Sequence, residues 1–157
     1  KLNIKQLLGA VFLWSDFLLR IPFFNKLKQF EFKTKGDTIM SILTTVLATL
    51  VALEHLYIFY LETIATQSAT TSRVFNMAQD ELARPSVDKL LKNQGVYNGL
   101  LALFLLYGIY LSANVELVVI FLVFVVAAAS YGALTAKRKI IVTQGGPAIL
   151  ALLSFLI

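Results

Sequence analysis

Three ionisable side chains stand inside one apolar run, Met40 to Thr66: Glu54, His55 and Glu62. An imidazole near a carboxylate can move a proton, orient a hydrogen-bonded ligand or hold a cation. His55 is the only histidine in the chain. At 100° per residue in a helix, His55 and Glu62 fall about 20° apart and share a face. Glu54 and His55 differ by about 100°, so both cannot point squarely inward. That weakens a Glu54/His55/Glu62 metal site, and one histidine cannot make a multi-histidine one; no metal or other cofactor is expected. Ionisable groups within a membrane helix are costly and mark a site by default.

The run that carries them has to be a membrane helix. It begins with fourteen uncharged residues, Met40 to Leu53. At about 27 residues it extends ~40 Å, more than a ~30 Å hydrocarbon layer requires. The 157-residue chain is 58% hydrophobic and 15% charged, with a mean hydropathy of +0.77, against roughly 25% charged residues in a soluble domain. The expected fold class is all-α, an integral membrane four-helix bundle with an extra N-terminal amphipathic or membrane-associated helix. Spans are expected at Met40 to about Thr66, Gln94 to about Ala113, Glu116 to Ala136 and Ile140 to Ile157. Asn114 and Val115 leave room only for a tight hairpin between the second and third. Ser86, after Pro85, can cap a helix running into the second span. Pro147 should kink the fourth helix near Thr143 by removing a backbone donor. Gly95, Gly99 and Gly108, with Ala127 to Ala129 and Gly132, permit close helix contact.

Two domains are expected: residues 1–39, an interfacial helix and basic linker, and residues 40–157, the four-helix transmembrane domain. Within the first, Leu7 to Phe24 reads as an amphipathic interfacial helix, with a true span as the alternative. Residues 1–39 hold seven basic and three acidic residues, a net +4, and the remainder nets +1. The basic excess therefore lies beside a membrane segment, and no nucleic-acid partner is expected. With no cysteine, thiol chemistry and disulfides are excluded. No phosphate loop, HExxH or Gly-x-Ser-x-Gly motif occurs.

Charge sets the expected orientation. All seven Lys and Arg beyond Met40 fall in the 67–93 connection or in Lys137-Arg138-Lys139. Both belong on the cytoplasmic side of the membrane, leaving Met40 and the C-terminus outside. Lys26, Lys28, Lys33 and Lys35 would then lie outside, against the rule. Either residues 1–39 form an unusual extension, or native translation starts at Met40. This orientation puts polar side chains of all four helices in the cytoplasmic half. The candidate pocket is Glu54, His55, Glu62, Gln94, Asn98, Tyr131 and Gln144. For Gln94, Asn98 and Gln144 taken singly, the plainer role is to tie helices together by hydrogen bonds.

Glu54-His55-Leu-Tyr57-Ile58-Phe59-Tyr60-Leu-Glu62, Asn93-Gln94-Gly95-Val-Tyr97-Asn98-Gly99, Tyr131-Gly132-Ala133-Leu-Thr135 and Gln144-Gly-Gly-Pro147-Ala resemble the small bacterial membrane proteins classed as domain of unknown function 1304. The resemblance runs from about Met40 to the C-terminus. It implies a four-helix membrane protein without the N-terminal extension, in keeping with a start at Met40, and implies no activity. Three functions follow from the residues. The first is a carrier, dimeric or larger, of a small hydrophobic or protonatable solute, with His55 or Glu54 as a proton-linked site. The second is a membrane-embedded enzyme on a lipid-like substrate, with His55 as acid/base oriented by Glu62. The third is a regulatory or scaffolding subunit. The expected partners are the lipid bilayer, a small hydrophobic or lipid-like ligand and a further copy of the chain.

Overall fold

A computed structural model describes residues 40–135 and 138–157. The expectations for residues 1–39, including a helix over 7–24, lie outside the described residues. Among those described, the structure is helical, with no strand. Three helices, Ile42–Ile64, Pro85–Leu111 and Val115–Thr135, are long and apolar enough to cross a membrane, and Ile141–Leu156 is a shorter apolar helix. These are the lengths and compositions of a membrane protein.

Helix α1, Ile42–Phe59, starts where the Ser41 hydroxyl accepts the Thr44 N–H at 3.1 Å. It continues into a wide π turn, Tyr60–Ile64. Two short helices follow, α2 (Ala69–Phe75) and α3 (Gln79–Leu82). Helix α4, Pro85–Leu106, runs into a second π turn, Tyr107–Leu111. Ser86 is not its cap. Arg84 holds that position and Pro85 opens the first turn, where a missing N–H costs nothing.

A three-residue link containing Ala113, at φ 46°, turns the chain back. The Asn114 side chain accepts the Leu117 N–H at 2.9 Å and starts α5, Val115–Thr135. Where a kink is expected near Thr143 the structure has a third π turn, Ile141–Gly145, ahead of α6 (Gly146–Leu153), with Pro147 in the first turn of α6. A wide turn frees backbone groups where a proline cannot donate, so helix direction and hydrogen bonding are reconciled locally.

Helix α1 packs mainly on α4 and α6. Helix α5 leans on α6 and the π turn before it, and meets α4 mostly around the Tyr107–Leu111 turn. The centre is built from small residues: Ala48, Ala52, Ala102, Ala148 and Ala151 are fully buried, with Val51, Leu105, Val118 and Leu122 filling between them. Small side chains let membrane helices approach, which brings dispersion contacts where no hydrophobic drive exists. The opposite faces, such as Leu43, Leu50, Leu53 and Leu103, are about half exposed and apolar, as a lipid-facing surface must be. Hydrogen bonds close the end near Ile42. Ser154 donates to Thr44 at 2.8 Å, and the Thr49 and Tyr110 hydroxyls meet at 2.7 Å.

Candidate functional site

The polar residues converge at the other end of α1. A cavity of about 680 Å³ is lined by His55, Ile58 and Glu62 from α1 and its π turn. Helix α4 adds Gln94, Tyr97, Asn98, Leu100, Leu101 and Phe104, and α5 adds Phe121, Phe124, Val125, Ala128 and Gly132. Ile140 and Gln144 complete the wall. Its size suits a small organic ligand, for which sites of roughly 300–1,000 Å³ are usual.

Five of the seven residues singled out in the sequence, His55, Glu62, Gln94, Asn98 and Gln144, line this one cavity; Glu54 and Tyr131 do not. Tyr131 points outward, 70% exposed. Glu54 is half-buried, with Oε2 enclosed and without a hydrogen-bond partner among the described residues. The angular separation on α1 gives the reason. His55 takes the inward face, so its neighbour must lie to one side.

Glu62 and His55 are 5% and 4% exposed, respectively. The Asn98 amide donates to Glu62 Oε2 at 2.7 Å, and more weakly to the Gln94 carbonyl at 3.3 Å. That bond crosses from the π turn of α1 to α4. It is made reachable by Gly95, where an added Cβ would strike Thr63 Oγ1 and lie 3.0 Å from Glu62 Cβ. Glycine here is a matter of space, since the turn of α1 lies directly on the backbone of α4. Below this pair, Thr66 donates to Asp88 at 2.9 Å and Lys92 pairs with the same carboxylate at 2.8 Å, tethering the start of α4.

His55 Nδ1 lies 2.8 Å from the Val51 carbonyl oxygen. A carbonyl can only accept, so Nδ1 carries the proton, and in the neutral ring Nε2 presents a lone pair. The imidazole is therefore oriented by its own helix rather than by Glu62. Among the described residues Nε2 has no partner, and Glu62 Oε1 has none. No Lys or Arg among them lines the cavity, and no three His, Cys, Asp or Glu come together as a metal site.

Sequence reasoning missed the aromatic wall. Phe104 and Phe121 stack with centroids 6.0 Å apart, and Phe124 lies beside them on the cavity lining. In an apolar span such residues carry no signal that separates a ligand wall from a lipid face. It also missed the π turns. Glu62 and Gln144 each sit in one, and such wide turns recur at functional sites.

Comparison with other proteins gives a family rather than an activity. The chain is 59% identical over 116 residues to the uncharacterized protein YpaA of Lactococcus lactis subsp. lactis (strain IL1403), spanning 73% of this chain and 98% of that protein. No solved structure matches. Residues 49–156 match the model of the family described as Protein of unknown function (DUF1304), which covers most of the membrane helices and every cavity residue, and the chain belongs to that family.

Proposed function

We propose that this protein is a four-span bundle of the bacterial cytoplasmic membrane that binds and carries a small hydrophobic or protonatable solute. In this reading 67–93 and 137–139 face the cytoplasm, and Met40 and the C-terminus lie outside. The distribution of Lys and Arg supports the orientation. The observation that carries the function is the cavity itself. It gathers His55, Glu62, Gln94, Asn98 and Gln144 into one apolar-walled space within a single chain. Because one chain already lines a ligand-sized open cleft, a further copy is not needed to form a pocket, though it can still cover the cleft or complete a path. Glu62 replaces Glu54 as the acidic group of the site. The enzyme reading keeps His55 as its base but lacks the Glu62 contact that would orient it.

Native mass spectrometry of the purified full chain tests the binding. The expected result is a co-purifying small molecule that is lost from Ala128→Trp, whose indole would fill the cavity, while that variant keeps its thermal stability. Recovery of the molecule unchanged after incubation supports a carrier; chemical alteration that requires His55 supports the enzyme. Absence of any bound molecule, before or after exposure to a bacterial lipid extract, refutes the pocket reading. The chain has no cysteine, so single-cysteine variants report orientation. An impermeant maleimide applied to whole cells should label Ser112→Cys and spare Gln79→Cys.

A further inference from the structure

We propose that the cavity takes a hydrophobic ammonium ligand, its nitrogen donating to Glu62, its apolar body lying against Phe104, Phe121 and Phe124. The inference rests on the pocket reading and names the ligand class. Three features of the lining point to it.

The first is the sign of the unused hydrogen-bonding capacity. Glu62 has one oxygen held by Asn98 and the other without a partner among the described residues. His55 commits its proton to Val51 and keeps a lone pair. Asn98 spends its amide hydrogens on Glu62 and the Gln94 carbonyl. The two most buried polar groups of the cavity therefore both offer acceptors, and a ligand group that meets either of them must bring a donor, while Gln94, Tyr97 and Gln144 can donate elsewhere on the lining.

The second is charge. Among the described residues no Lys or Arg lines the cavity and none forms an ion pair with Glu62. The nearest ion pair on α4, Lys92 with Asp88, is satisfied within itself. A buried acid in lipid needs a counter-charge or a proton, and a ligand ammonium supplies the first with a charge-assisted hydrogen bond.

The third is the wall opposite. Phe104, Phe121 and Phe124 line the same space, and an ammonium is attracted to aromatic faces while its apolar body packs on them. Leu100, Phe104 and Phe124 are also 44%, 51% and 59% exposed. The apolar flank of the cavity thus lies on the lipid-facing surface between α4 and α5, where an amphipathic molecule dissolved in the bilayer would meet it.

Equilibrium dialysis with the full chain in phosphatidylcholine nanodiscs, against empty discs, provides the test. Three probes share one ring: 2-(2-naphthyl)ethylammonium, 2-(2-naphthyl)ethanol and 2-naphthylacetate. The ammonium should bind at least about tenfold more tightly than the alcohol, and the acetate no better than to empty discs. E62Q should bring the ammonium down to the level of the alcohol, and F104A should weaken both. A second readout avoids substitution. Modification of Glu62 in the unaltered chain by an apolar carbodiimide, read by peptide mass spectrometry, should be slowed by the ammonium and much less by the alcohol. Equal binding of ammonium and alcohol, a preference for the acetate, or no protection of Glu62 overturns the ligand class. If none of the probes binds but a co-purified molecule sensitive to Ala128→Trp is present, the ligand class fails alone. If that molecule is absent as well, the pocket reading fails with it.

Discussion

The two flanks of α4 are built on opposite rules. Toward α1, side chains are removed. At Gly95 an added Cβ would strike Thr63 Oγ1, and at Gly99 it would lie 2.9 Å from the Phe59 ring. Toward α5, bulk is added. Leu100 and Phe104 stand on that side and line the cavity with residues of α5, Phe104 stacks on Phe121, and the two helices meet closely only farther along, where Gly108 lies against Leu117 and Val118. Glycine in an apolar helix permits backbone contact, and large aromatic residues hold helices apart or bridge them at single points. One wall of the site is thereby fixed, so that Glu62 and Asn98 keep their geometry. The other wall is free to accommodate what enters.

The contrast is broken most directly on the tight flank. Gly95→Leu should lower stability by about 3 kcal/mol or more, since Glu62 Cβ and the Thr63 backbone nitrogen have nowhere to go. Reversible unfolding of the purified chain in mixed detergent–SDS micelles, followed by circular dichroism, measures it; a loss within about 0.5 kcal/mol would mean that α1 and α4 are not in contact there. Asn98→Leu removes the one hydrogen-bond partner that the Glu62 carboxylate has among the described residues and should cost about 1–3 kcal/mol in the same assay, because a buried polar group is left unpaired. Gln94→Leu, whose side chain is exposed at the cavity rim, should be nearly silent by comparison.

On the loose flank the effects are smaller. A double-mutant cycle on Phe104→Ala and Phe121→Ala should give a coupling of about 0.5–1.5 kcal/mol. Zero coupling would show that the stack does not bridge α4 to α5. The far end of α1 sets the lower limit. A cycle on Thr44→Val and Ser154→Ala, which share a buried bond of 2.8 Å, should yield about 0.6 kcal/mol, the usual size of a hydrogen bond between membrane helices. A value above the Asn98→Leu loss would reverse the ranking of the two ends.

Much of the site is legible without coordinates, because the cost of polar groups in lipid makes their positions informative. His55, Glu62, Gln94, Asn98 and Gln144 stand out for that reason. Glu54 stands out equally, yet it lies beside the cavity, since adjacency in sequence is a 100° separation on a helix. Tyr131 misleads because an aromatic hydroxyl suits a lipid-facing or interfacial position as well as an interior one. The helix starts are less legible. Ser86 reads as the cap of the helix that runs into the second span, but Arg84 holds that position and Pro85 opens α4, because a first-turn proline forfeits no intrahelical bond.

Composition and hydropathy by themselves determined that the chain is helical and belongs in a membrane, and spacing placed His55 and Glu62 on a common side. Those properties follow from the energetics of burying backbone and charge in lipid, which depend on residue type along the chain. Which polar groups pair, and what faces them, was decided only by the tertiary structure. Asn98 reaches Glu62 because Gly95 lets the backbones close, and His55 is turned by Val51 rather than by an acid. The wide turns at Tyr60–Ile64 and Ile141–Gly145 shift Glu62 and Gln144 away from the regular helical phase. These are consequences of how helices settle against one another, a matter of packing between distant residues that no local periodicity contains.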